Sequence, residues 1–122
     1  MNGLRINLET EQKTFGTFDL WPINNDLDAL KVFVRGTQQS EIIILAIYDD
    51  AYVHMDQKIK DLIALLGSSA IHTLSFRDSW VFIGQKQGAG IVNVQEKLIK
   101  SNAENKYGGW PEQAEINGCI RL

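Results

Sequence analysis

Cysteine and proline are scarce in this sequence, whose 122 residues contain one cysteine and two prolines. The single cysteine, Cys119, excludes a disulfide within the chain. A small domain without disulfides must be stabilised by packing of its apolar side chains. Cys119 has no histidine near it in the sequence, so we expect it to pack against a strand rather than to act as a nucleophile.

An excess of positive charge is also missing. Twelve lysines and arginines stand against fifteen aspartates and glutamates, for a net charge of −3, and no run of basic residues occurs. Neither nucleic acid nor an anionic membrane is therefore expected as a partner. His54, His72 and Cys119 show no spacing known from metal sites, so we predict neither a metal nor another cofactor.

Long apolar segments are absent too. The longest apolar run, residues 42–47, is far too short to span a membrane. Residues 1–11 are polar and alternating, unlike a secretory signal. The expectation is a cytoplasmic protein, or a domain excised from a surface, secreted or virion protein.

The composition is that of a globular domain. Hydrophobic residues make up 44% of the chain and charged residues 22%, which is ordinary for a folded protein. The length corresponds to one domain, so we predict a single domain over residues 1–122.

Apolar periodicity predicts a mixed α and β protein. Leu4 and Ile6 alternate with polar residues, as in a strand with one buried face, whereas residues 42–47 are apolar throughout, as in a central strand. Asp26 and Asp56 are candidate helix N-caps, and Gly67 ends the second helix. The predicted elements are strands at residues 4–8, 14–20, 42–47, 79–84 and 115–122, helices at 27–35 and 57–66, a loop at 85–90 and a helical turn at 95–100.

Two acidic residues, Asp49 and Asp50, directly follow the predicted central strand. Polar residues that serve binding sites often lie where a strand opens into a loop. This pair could accept hydrogen bonds from the hydroxyls of a ligand, or it could bond to its own backbone in a solvated turn. The sequence leaves both interpretations open.

The segment 76–80 combines side chains suited to binding a polyol. Arg77 can donate hydrogen bonds, Asp78 can accept them, and the Trp80 ring can cover the C–H surface of a sugar. The alternative is an Arg–Asp ion pair that holds a turn, with Trp80 in the core. A glycoside hydrolase would need two carboxylates that face one cleft, whereas Asp49 and Asp50 point apart on an extended chain. Asp78 could supply the second carboxylate, but nothing indicates a division into an acid and a base, so we expect no enzyme.

Several ordered motifs in this sequence resemble the interleukin-like EMT inducer/PANDER domain family, also described as carrying a GG domain. The resemblance extends from about Gly3 to Ile120. It is carried by Tyr48-Asp49-Asp50, Leu65-Leu66-Gly67-Ser68, Phe76-Arg77-Asp78-Ser79-Trp80-Val81-Phe82-Ile83-Gly84, Asn105-Lys106-Tyr107-Gly108-Gly109-Trp110-Pro111-Glu112 and Gly118-Cys119-Ile120.

The resemblance implies an α+β fold, a compact β-β-α globule with two antiparallel sheets flanked by short helices around a polar cavity. A related domain in the stem of the O-mannose N-acetylglucosaminyltransferase is non-catalytic and binds a β-linked N-acetylglucosamine. By that similarity, Asp49 and Arg77 match positions implicated in sugar contact.

The sequence also departs from the family pattern. Secreted members contain disulfides, whereas Ile83 stands here where a cysteine is expected, which leaves Cys119 without a partner. This departure suggests a microbial or viral relative, or a module of a larger adhesin, and cytokine activity is not carried over.

The leading functional hypothesis is a non-catalytic domain that binds a glycan or small polyol in a polar cleft. The expected ligand-binding residues are Asp49, Asp50, Arg77, Asp78 and Trp80. The alternative hypothesis is a protein-interaction or structural module of a larger assembly, cytokine-like by family resemblance.

Overall fold

The computed structural model describes residues 1–21, 25–47, 49–102, 108, 111 and 113–118, with the backbone alone at residues 49 and 50. Strands alternate with short helices along these ranges. The elements are β1 (Asn2–Asn7), β2 (Lys13–Thr17), α1 (Leu27–Arg35), β3 (Glu41–Ile47), a first 3-10 helix (Asp49–His54), α2 (Gln57–Leu65), a second 3-10 helix (Ile71–Thr73), β4 (Ser79–Gln87) and β5 (Gly90–Ile99).

The described strands form one antiparallel sheet in the order β2-β1-β3-β4-β5. This confirms the predicted α+β class and the central position of β3. The sequence-based expectation of two sheets is not met in the described part of the chain, which contains this one sheet. Residues 115–118 of the predicted last strand are not in a strand, and residues 119–122, including Cys119, lie outside the described residues.

The core lies between the sheet and the two α-helices. Strand β3 directs Ile43, Leu45 and Ile47 into this core, where they pack with residues such as Leu30 of α1 and Ile59 of α2. The alternate residues of β3 are apolar as well, which explains its unbroken apolar sequence. Burial on both faces and pairing on both edges make β3 the centre of the sheet.

The two helix starts differ in how they are capped. The Asp56 carboxylate accepts a hydrogen bond from the Ile59 N–H at 2.9 Å, as the cap prediction requires. Asp26 precedes α1 as expected but makes no side-chain cap bond. Its carboxylate instead accepts the N–H of Asp19 at 2.9 Å, which ties the chain after β2 to the start of α1.

Strand β5 corrects two predictions. Residues 95–100 were expected as a helical turn, but residues 90–99 pair with β4 over most of its length. Pairing with β4 outweighs the helix propensity of the Gln-Glu-Lys sequence at 95–97. The predicted loop at 85–90 is also shorter, because β4 continues to Gln87 and the turn occupies only Gly88 and Ala89.

Candidate functional site

The strand register brings five chain segments together at one end of the sheet, which we call the loop end. Asn2 pairs with both Thr17 and Ala46, so the start of β1 lies beside the ends of β2 and β3. Trp80 pairs with Ile47, and the start of β4 therefore lies beside the end of β3. The end of β5 joins them through the pairing of Ser79 with Ile99.

The two sequence motifs predicted to form a site leave the sheet side by side at the loop end. Asp49 and Asp50 begin the 3-10 helix that follows β3, and Arg77 lies two residues before β4. The topology thus brings together, at the level of the backbone, segments that are far apart in sequence. The side chains of Asp49 and Asp50 lie outside the described residues.

Arg77 lies in the turn that precedes β4. Its φ of 63° is in the left-handed region, which is uncommon for a residue other than glycine. The side chain is half-exposed, and its guanidinium carbon lies 4.9 Å from the ring centroid of Phe76. The turn therefore presents an arginine and an aromatic ring together at the loop end.

Asp78 is buried, with 1% of its surface exposed. Its Oδ2 accepts the N–H of Ser75 at 2.8 Å and lies 3.0 Å from the Lys100 ammonium, while Oδ1 accepts the N–H of Ser101 at 2.8 Å. The carboxylate thus joins the turn before β4 to the chain after β5. This is the ion pair that holds a turn, with Lys100 as the cation.

Trp80 also lies in the interior, with 1% of its surface exposed. Its ring stacks on that of Phe82 at a centroid distance of 5.7 Å, and its Nε1 donates a hydrogen bond to Glu96 Oε2 at 3.0 Å. Neither Asp78 nor Trp80 is placed to meet a ligand at the surface, because packing and internal bonds occupy both. Asp49, Asp50 and Arg77 are left as the ligand-binding candidates.

Glu96, which sequence reasoning missed, connects β5 to the chain after α2. Its Oε1 accepts the N–H and Oγ–H of Ser69, each at 2.7 Å, and the N–H of Ala70 at 3.0 Å. Its Oε2 accepts the Ser68 hydroxyl at 2.7 Å in addition to the Trp80 indole. Burial raises the pKa of Glu96, but the hydrogen bonds from Ser69, Trp80 and Ser68 outweigh it, so the pKa lies below its ordinary value of 4.5.

Sequence reasoning also missed an aromatic contact at the loop end, between the exposed Trp21 and the half-exposed His54. Trp21, just after β2, is 56% exposed, and its ring lies 4.7 Å from that of His54 in the first 3-10 helix. The neighbouring Val53 is 55% exposed. No local pattern marks Trp21 as exposed, since the apolar residues Phe18 and Leu20 precede it, and its contact with His54 depends on the fold.

Within the described ranges, no group of three or more histidine, cysteine, aspartate or glutamate residues is arranged to hold a metal ion. No described helix is long and apolar enough to cross a membrane.

Comparison with known proteins gives consistent matches over most of the chain. A family profile described as "Interleukin-like EMT inducer" matches residues 4–89. Protein FAM3C of Danio rerio is 44% identical over 107 residues, which cover 87% of this chain and 46% of that protein. Protein FAM3C of Homo sapiens is 40% identical over 84% of this chain and 44% of its own length, and Protein FAM3D of Mus musculus is 41% identical over 85% and 46%. The chain spans about half the length of these curated relatives.

Proposed function

This chain belongs to the interleukin-like EMT inducer family, and on that basis we propose that it is a non-catalytic domain that binds another protein through the loop end of its sheet. The family's description refers to an interleukin-like protein, and a protein of that kind acts by contact with a partner. The proposal assigns that contact to the loop end.

The observation that supports it is a group of large apolar side chains exposed at this end. Trp21, Val53 and Phe76 are 56%, 55% and 52% exposed, and they lie on three different segments that converge there. Arg77 lies beside Phe76. Exposed aromatic residues and arginine are the residue types that dominate the binding energy of protein interfaces.

Two carboxylates in the described part of the chain serve as hydrogen-bond acceptors that hold the fold together. The pKa values of Asp56 and Glu96 both lie below their ordinary values. Hydrogen bonds from Lys31 and Ile59 lower the pKa of Asp56, and those described above lower that of Glu96. Such groups stay ionised at neutral pH, whereas a general acid needs a raised pKa.

Binding of a glycan is the second candidate, and one observation favours it. The Trp21 ring is exposed at the same end of the sheet as Arg77 and the Asp49-Asp50 backbone. An aromatic face beside hydrogen-bonding side chains is suited to a sugar, with the ring on its C–H surface. In this candidate function the ring that covers the sugar is that of the exposed Trp21, and not that of the buried Trp80.

One experiment tests the proposal and separates the two candidates. The fluorescently labelled chain is titrated onto cultured vertebrate cells, since the matched relatives are vertebrate proteins, and binding is measured before and after treatment of the cells with protease or with glycosidases. Saturable binding that is lost after protease but kept after glycosidases supports a protein partner. Loss after glycosidases, with binding on a glycan array that Arg77→Ala weakens at least tenfold, supports the glycan candidate instead.

The variants locate the contact. Trp21→Ser combined with Phe76→Ser should weaken cell binding at least tenfold, because both exposed rings are removed. Leu65→Ser is the matched control, since Leu65 is also exposed but lies at the other end of the sheet, beside the turn between β4 and β5. Equal loss in both variants, or no saturable binding at all, would contradict the proposal, and melting temperatures check that each variant is folded.

A further inference from the structure

Strand β2 leaves one edge of the sheet open. The Phe18 N–H donates to Met1 O and the Asn7 N–H donates to Gln12 O, so the pairs 1/18 and 7/12 are hydrogen-bonded pairs of the β1–β2 ladder. Such pairs alternate along an antiparallel ladder. The N–H and C=O groups of Lys13, Phe15 and Thr17 therefore point away from β1, and no other strand in the described ranges pairs with them.

This edge lacks most of the features that keep an edge strand from pairing with another chain. All three edge residues are exposed, and the central one, Phe15, is 74% exposed. In natural proteins, charges, prolines, bulges or covering elements prevent edge strands from pairing with other chains. In β2 the only charged residue is Lys13, and the strand contains no proline. An apolar centre and unpaired backbone groups are the features that an added strand uses.

A groove runs alongside this edge on the helix side of the sheet. Its volume is roughly 590 Å³, and it lies between β2 and α1, where Val32 is exposed at its wall. Gly16 also lines the groove. A Cβ added there would come within 2.5 Å of the Phe18 ring, so the absence of a side chain at Gly16 makes room for that ring. A strand added to β2 would place its alternate side chains in this groove.

The charged residues at this edge indicate which kind of chain segment could bind there. Arg5 lines the groove and pairs with Thr14 of β2, whereas no carboxylate is among the described residues that line it. Arg5 forms an ion pair with Glu41, with Nε 3.9 Å from the carboxylate, and its Nη1 donates to Phe33 O at 3.3 Å. Nε itself is buried and makes no hydrogen bond in the described part of the chain. The exposed Lys13 is a second cation at the same end of β2, on the opposite face of the sheet from Arg5 and Thr14.

We infer that the open edge of β2 binds an extended segment of a partner protein by strand addition. Apolar residues of the segment lie opposite Phe15, Gly16 and Thr17, and acidic residues lie opposite Lys13 and Thr14, next to the two cations. An antiparallel strand therefore runs from apolar to acidic along its length. This surface runs along the β2 edge and reaches the loop end at Thr17, where β2 ends. The inference does not depend on the proposed function.

The test uses synthetic peptides and the intact chain. The probe is an acetylated and amidated heptapeptide of sequence Ser-Val-Ile-Val-Asp-Asp-Ser, with an analogue in which lysine replaces both aspartates. Fluorescence polarisation measures affinity, and amide chemical shifts map the contact. We expect saturable binding, at least tenfold weaker for the lysine peptide, with the shifts concentrated at residues 13–17. No saturable binding, or shifts concentrated at the loop end, would overturn the inference.

Three further changes test the backbone bonds and the groove. Phe15→Pro removes an N–H that points to the open edge while leaving the β1–β2 ladder paired, and it should weaken binding at least tenfold, whereas Phe15→Val should weaken it less than threefold. A peptide N-methylated at the amides that face β2 should also bind at least tenfold more weakly, with no change in the protein. Val32→Glu should weaken binding, unlike Val92→Glu on β5. Equal affinity for the methylated and unmethylated peptides, or self-association that protects the amides of β2, would also overturn the inference.

Discussion

At the residue scale, the buried carboxylates Asp78 and Glu96 show what the sequence could reveal and what it could not. The motif around Arg77 marked Asp78 as important, and the structure shows an ion pair with Lys100, a residue 22 positions away. Glu96 carried no sequence signal, because its donors lie 16 to 28 residues away. Hydrogen-bond partners that are distant in sequence are set by strand register, which periodicity does not specify.

Glu96 predicts a pH-dependent stability difference. Glu96→Gln replaces one accepting oxygen by an NH₂ group, which would face hydrogen-bond donors. The substitution should lower the free energy of unfolding by about 2 kcal/mol at pH 7, because hydrogen bonds to a charged group contribute ~1.5–3 kcal/mol each. The folded-state pKa is lowered, so the stabilisation is complete above the ordinary value of 4.5 and is lost as pH falls through the folded value. Urea unfolding at pH 7 and pH 3 measures this.

The control for this prediction is Glu115→Gln, because Glu115 is an exposed glutamate whose only described contact is with the Asn117 side chain. Its effect on stability should be small at both pH values. Two results would contradict the role assigned to the carboxylate. One is a Glu96→Gln variant that is as stable as the original chain at pH 7, and the other is a loss of unfolding free energy that is the same at pH 3 as at pH 7.

At the scale of elements, local signals predicted those parts of the chain in which one face is buried. The helix at 27–35 matches α1, and the run at 42–47 falls inside β3, because apolar spacing in each reflects the core that the element covers. The sequence pattern does not indicate strand β5, because among the described strands it pairs with β4 alone and all its residues are half-exposed or exposed, so it has no buried apolar face. Pairing with a distant strand, not local pattern, determines that element.

The start of α2 supplies an element-scale prediction. Asp56 caps the helix through Ile59 N–H and also contacts the Lys31 ammonium of α1 at 2.5 Å. Asp56→Ala should lower the free energy of unfolding by about 1 kcal/mol, the usual cost of a lost N-cap. Asp56→Ser keeps a capping oxygen and should recover most of that loss, because the Asp56 side chain is 44% exposed and an ion pair that water reaches contributes little.

Asp61→Ala is the matched control, since Asp61 is an exposed aspartate within the same helix and not at its start. Its effect should stay within about 0.5 kcal/mol. Thermal or urea unfolding measures all three variants. If Asp56→Ser is as damaging as Asp56→Ala, the ion pair with Lys31, and not the cap, accounts for the contribution of Asp56.

At the scale of the whole molecule, the sheet order implies that backbone amides are shielded from water most at the centre of the sheet and least at its edges. Strand β3 is paired on both sides and buries Ile43 and Leu45 completely. Among the described strands β2 pairs with β1 alone, and its centre is exposed. The antiparallel order also explains why the loop end gathers residues from segments spread over the chain, which no local pattern could have located.

Amide hydrogen exchange followed by NMR should show this gradient. The amides of β3 open only when the whole domain unfolds, which costs at least ~5 kcal/mol in a typical domain and corresponds to protection of about 10⁴-fold or more. The Phe15 amide points to the open edge and should be protected less than about 10²-fold, because it needs no unfolding to meet water. The Gly16 amide, which points to β1, is the internal control and should exchange more slowly than its neighbour. Equal protection of Phe15 and Gly16 would show that another part of the chain already occupies the edge, and the strand-addition surface would then be closed in the isolated protein.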